Sequence, residues 1–120
     1  MSLMPLILSQ TTPGPNKLSL ILEVGADLDY FCGHFPGLPI LPGVVQVDWA
    51  LRFAQQYLAV PAERFVALKA LKFSAPIGPD SRLTLDLEWK SAAGRLDFSY
   101  SAGARRLSSG QAHFSSTAPA

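Results

Sequence analysis

From residue 82 to 90 the chain alternates: Leu83, Leu85, Leu87 and Trp89 fall on one side, Thr84, Asp86, Glu88 and Lys90 on the other. A period of two marks a strand with one covered face. Residues 64–74, 95–101 and Arg105–Phe114 predict three more strands. Gly78-Pro79-Asp80, Ala93-Gly94 and Ala102-Gly103 punctuate them and read as hairpin turns. Nearer the N-terminus, residues 6–10 predict a short strand, followed by a breaker segment at 11–16 with two prolines and a glycine. Lys17–Val24 alternates at first and then runs apolar, as a strand buried mostly on both faces does.

The period changes once. Across residues 42–58, Val44, Val47, Ala50, Leu51, Ala54 and Leu58 recur at helical spacing. Pro42 suits the first turn, where its missing N–H would have no partner anyway. Asp48, Arg52, Gln55 and Gln56 form a polar stripe that Val45 and Trp49 interrupt near the start. The first turns are thus apolar nearly all round and the last two have a wet side, which predicts a helix embedded at one end. One such helix with six antiparallel strands predicts an α+β domain, a sheet wrapped around a helix, with residues 1–120 as a single unit.

Between the second strand and the helix, residues 31–43 carry prolines at 36, 39 and 42 and glycines at 33, 37 and 43. Proline removes a donor and restricts φ, so this stretch is neither helix nor central strand. It reads as a long ordered loop, the kind that is usually functional.

Composition narrows the classes. The 120 residues are 48% hydrophobic, enough for a core without a metal or disulfide staple. Ten basic and nine acidic side chains leave a net charge of +1, without the basic stripe of a nucleic-acid binder. The single Cys32 has no partner for an intramolecular disulfide, which suits a reducing cytoplasm. No apolar run reaches the roughly 20 residues that span a bilayer, and the first ten residues lack the basic start of a signal peptide. Two histidines and one cysteine without ligand spacing predict no metal site; Cys32 reads as a small buried hydrophobe and His113 as a surface residue.

His34 in the loop and Asp48 on the helix are the candidate acid–base pair. Histidine is the natural general base, because its unperturbed pKa lies near 6.5. A carboxyl on an apolar helix can stay protonated, since desolvation disfavours its charged form. The first N–H groups of the helix lack intrahelical acceptors and carry the positive end of its dipole. Gly43, without a side chain, lets a carbonyl oxygen approach them, with Val44 beside it.

The run Gly33-His34-Phe35-Pro36-Gly37-Leu38-Pro39-Ile40-Leu41-Pro42-Gly43-Val44, followed by Asp48, resembles the signature of the β-hydroxyacyl-acyl-carrier-protein dehydratases. Lys72-Phe73, Pro76 and Asp80 resemble the same family's strand end and turn. The resemblance implies the hot-dog fold, a curled antiparallel sheet around a central helix. It implies removal of water from a β-hydroxyacyl thioester on acyl carrier protein, without a cofactor. It also implies His34 as base, Asp48 as acid or water-positioner, and the Gly43 N–H as oxyanion donor. The two chains of a dimer would share the site, His34 of one facing Asp48 of the other. Where the family carries glutamine, this chain has Arg52 one turn after Asp48, and an i,i+4 pair would favour the charged carboxylate. That departure, and a short N-terminal segment, imply a specialised pathway. Two other readings fit these residues: a thioesterase or coenzyme A-linked hydratase, and a non-catalytic acyl-binding subunit of an active homologue, which Arg52 favours.

Overall fold

The computed structural model describes residues 4–25 and 40–116. Strands β1 (Leu6–Thr11), β2 (Lys17–Val24), β3 (Phe65–Phe73), β4 (Ser81–Lys90), β5 (Arg95–Ala102) and β6 (Arg105–Phe114) form one sheet, and Gly43–Leu58 forms the helix α1. All neighbours are antiparallel, in the order β1-β2-β4-β5-β6-β3. This is the hot-dog architecture that the sequence predicts, with α1 packed mainly against β2 and β4.

One face of the sheet makes the core. Leu18, Leu20, Leu22 and Val24 of β2, Leu83, Leu85 and Leu87 of β4, and Leu96, Phe98 and Tyr100 of β5 all point inward and are buried. Each such leucine contributes about 1.5–3 kcal/mol on leaving water. The expectation that β2 is buried on both faces is corrected: Lys17, Ser19, Ile21 and Glu23 face outward, opposite Glu88, Asp86, Thr84 and Arg82 of β4. An apolar residue at position 21 makes the run look continuous, yet Ile21 is exposed.

A second correction concerns the connections. Ala93-Gly94 and Ala102-Gly103 do join paired strands, and Gly94 adopts φ 61° where an added Cβ would lie 2.7 Å from the Phe114 carbonyl oxygen. Gly78-Pro79-Asp80 is not a hairpin, because β3 pairs with β6 and not with β4. The chain crosses from one edge of the sheet to its middle instead. Ser74 and Ala75 donate their N–H groups to the Leu107 carbonyl, and the Ser81 hydroxyl donates to the Gly78 carbonyl. Turn residues report that the chain reverses; they do not report which strand it meets next.

The helix face is also shifted. Val45, Gln46, Val47, Trp49, Ala50, Phe53 and Ala54 are buried, whereas Val44 is 76% exposed and Leu51 and Leu58 are only half-buried. Trp49, expected to interrupt the wet stripe, is fully covered. Pro42 stands just outside the helix as its N-cap, with φ −59° and ψ 144°. The helix closes at Ala59 in the left-handed region. Among the described residues no helix is long and apolar enough to cross a membrane. The expected connection at 25–30, the loop at 31–39 and the tail at 115–120 fall largely outside the described residues.

Candidate active site

The site is built where the chain enters α1. Pro42 is extended, so its carbonyl turns back to accept from the Val45 and Gln46 N–H groups at 3.1 and 3.3 Å. Gly43 and Val44 precede the first intrahelical bond, and their N–H groups have no acceptor within the helix. Among the described residues no side chain caps this end, and no acidic residue lies in the first turn. The positive pole of the helix is therefore uncompensated by its own side chains. Such a turn can hold an oxygen on which negative charge develops.

Gly43 permits a close approach. A Cβ there would lie 2.8 Å from the ring of Phe73, the last residue of β3. Beside them a cavity of about 420 Å³ is bounded by Leu41, Gly43, Gln46, Phe73 and Ala75. A second depression, of about 410 Å³, lies on the outer face of the sheet among Lys17, Asp86, Glu88 and Asp97, away from the helix and its carboxylate.

Asp48 stands on the same helix, its side chain 46% exposed. Arg52 donates from Nε to Asp48 Oδ2 at 2.7 Å, so the i,i+4 pair that the spacing allows but does not decide is formed. Beneath them Tyr100 is fully buried on β5, and its hydroxyl donates to the Gln46 carbonyl at 2.6 Å. Burial first, and then the Asp48 charge, push the Tyr100 phenol well above its ordinary range. It therefore remains a donor. His113 is half-buried on the outer face, where its Nε2 lies 3.1 Å from Gln111 Oε1. His34 and Cys32 lie outside the described residues, so α1 brings together Gly43, Val44, Asp48 and Arg52.

Residues 10–111 match the profile of the ApeI-like family, described as ApeI dehydratase. The chain belongs to the ApeI-like dehydratase family. A chain of the dehydratase heterocomplex ApeI:P from Xenorhabdus doucetiae is 33% identical, with a TM-score of 0.85 over 92% of this chain and 96% of that one. An uncharacterised protein from Erwinia carotovora subsp. atroseptica is 34% identical, with a TM-score of 0.81 over 93% and 96% of the two chains. The 3-hydroxyacyl-acyl-carrier-protein dehydratase FabZ of Novosphingobium aromaticivorans is 33% identical over 89 residues, 67% of this chain and 56% of that enzyme. The chain thus spans little more than half the length of that curated relative.

Within this ApeI-like chain, sequence reasoning missed three residues at the head of the helix: Gln46, Tyr100 and Ser108. Gln46 is 3% exposed, and its Nε2 donates to the Leu41 carbonyl at 3.2 Å while its Oε1 accepts from the Ser108 hydroxyl at 2.7 Å. The available signal was a single amide among Val44, Val45, Val47 and Trp49. Tyr100 continues the inward positions of Leu96 and Phe98, which disguises its hydroxyl as core.

Proposed function

We propose that this chain, folded as one domain, removes water from a β-hydroxyacyl thioester carried on the phosphopantetheine of acyl carrier protein. The product is the trans-2-enoyl thioester. The observation that carries the reading is the uncompensated start of α1, with Gly43 at the opening and the Asp48 carboxylate a turn and a half beyond it. In this reading His34 takes the α-proton, and the thioester oxygen gathers charge against the Gly43 and Val44 N–H groups. The β-hydroxyl leaves as water. While Asp48 accepts from Arg52 it acts as the orienter of that hydroxyl, and protonated His34 returns the proton. The thioester itself makes the α-hydrogen acidic, so the scheme calls for no cofactor. The FabZ relative's name supports chemistry on acyl carrier protein, and Arg52 a specialised pathway.

The working unit in this reading is a dimer. β3 has one strand neighbour, β6, among the described residues, and it exposes Phe65, Val66, Leu68, Leu71 and Phe73. An apolar terminal strand is a template for pairing with another chain. A second copy would bring His34 of one chain to Asp48 of its partner.

A second reading has its own support. The Arg52–Asp48 bond and the heterocomplex formed by the Xenorhabdus relative favour a subunit that binds acyl groups beside an active homologue.

Incubation with a panel of β-hydroxyacyl carrier proteins, followed by mass spectrometry, separates these readings. Loss of one water supports dehydration, thiol release detected by Ellman's reagent points to a thioesterase, and acyl binding without turnover favours the partner subunit. For the shared site, purified mixed dimers of His34→Ala and Asp48→Ala should regain activity that neither parent has. Mixed dimers as inactive as the parents would overturn the cross-chain pairing.

A further inference from the structure

Gln46 and Ser108 are buried polar side chains, and they bond each other across 62 residues of sequence. A methionine and an alanine would fill the same places without the cost of burying an amide and a hydroxyl. Replacing both partners of such a pair by apolar groups is often close to neutral for stability. Retention of the pair therefore asks for another reason, and the geometry supplies one.

Three bonds converge on Gln46. Its amide nitrogen holds the Leu41 carbonyl, its amide oxygen takes the Ser108 hydroxyl, and its backbone carbonyl takes the Tyr100 hydroxyl. Leu41 is held from the other side too, its N–H donating to the Ile77 carbonyl at 2.7 Å. Leu41 lies immediately before Pro42, and the segment that carries His34 joins the helix through it. One amide thus ties the approach to α1, its first turn and strand β6 into a single frame. Tyr100 stays protonated in that frame because burial, and then the Asp48 charge, raise its pKa.

We infer that Gln46 is a positioning residue: its buried side-chain amide, braced by Ser108, and its backbone carbonyl, held by Tyr100, fix Leu41 and the first turn of α1 so that the Gly43 and Val44 N–H groups keep their aim. Its bearing on turnover rests on the dehydration proposed above. A misplacement of about 1 Å can cost about 100-fold in rate, so the effect should appear in kcat.

The test uses the full chain with Ser108→Ala, Gln46→Met and the double substitution. Gln46→Met alone leaves the Ser108 hydroxyl unpartnered and should lower Tm. The double variant removes that hydroxyl and should recover part of the loss, since the Leu41 carbonyl still lacks its donor. Its kcat should nevertheless stay down by about 10- to 100-fold, with KM within about threefold of the parent. Amide exchange at Leu41 and Val45, whose N–H groups donate to the Ile77 and Pro42 carbonyls, should be faster than in the parent, and exchange across residues 50–58 unchanged. A core-filling role would restore turnover together with stability. Parental kcat in the double variant overturns the inference, and so does parental exchange at Leu41 and Val45. A parent that dehydrates no substrate defeats the proposed function instead, and the exchange result alone then decides whether Gln46 holds the turn.

Discussion

The two halves of α1 differ in how they are held. Val45, Gln46, Val47, Trp49 and Ala50 bury the first half, and three polar bonds to Leu41, Tyr100 and Ser108 fix its orientation. The second half is held by packing: Phe53 and Ala54 are buried, Phe53 stacks on Tyr57 at 6.3 Å, and Arg52, Gln55 and Gln56 face water. Apolar packing gives stability with little directional control, whereas hydrogen bonds add angle and register. The polar frame lies at the end of the helix that carries Gly43 and Asp48, and the frameless end carries none of the candidate site beyond Arg52.

That contrast predicts that substitutions in the first half cut activity more than stability, and the reverse in the second. Asp48→Ala should show the largest effect, a fall of about 10²–10⁴-fold in kcat. Its Tm should change little, because the side chain is half-exposed; a large loss of Tm would make Asp48 structural. Phe53→Ala should come next, costing about 3–5 kcal/mol in denaturant unfolding because the ring is buried in a packed core. Its folded fraction should turn over at the parental rate, and a matching drop in kcat would erase the distinction between the halves.

Gly43→Ala tests the close approach itself. The half-exposed Phe73 ring can swing away from the new methyl, so folding should survive. Turnover should fall about tenfold, less than the 10²–10³-fold of a lost oxyanion donor. Phe73→Leu in the same chain should restore part of it.

The smallest effect concerns the frame's titration. The Tyr100 pKa is raised in the folded chain, so its contribution to stability is complete below the unfolded value of about 10 and is lost as pH rises through the higher folded value. Tyr100→Phe should cost about 1 kcal/mol at neutral pH, the worth of one hydrogen bond. It should also lose less stability than the parent between pH 9 and pH 11. Parallel curves for the two proteins would mean that the phenol is not what titrates.

Most of the secondary structure was legible because it depends on local period. Lys17–Val24 and Arg105–Phe114 have the predicted bounds, and the helix begins one residue later than predicted because Pro42 caps it from outside. What failed needed tertiary information. The mistaken hairpin at Gly78-Pro79-Asp80 turns on which strand lies alongside, and the misjudged outer face of β2 on what covers it. The candidate site divides in the same way. Gly43, Asp48 and the Arg52 pair follow from contiguous spacing, whereas Gln46 acquires its meaning from Ser108, 62 residues away.

Phe73 has a further consequence for assembly. It ends the terminal strand β3 and also rests on the first residue of α1. Anything that docks along β3 thus handles one wall of the cavity beside Gly43. Association and competence of the site are then linked by mass action, and each should shift the other's equilibrium. Dilution would act on such a protein as an inhibitor does, withdrawing the partner that keeps the wall in place.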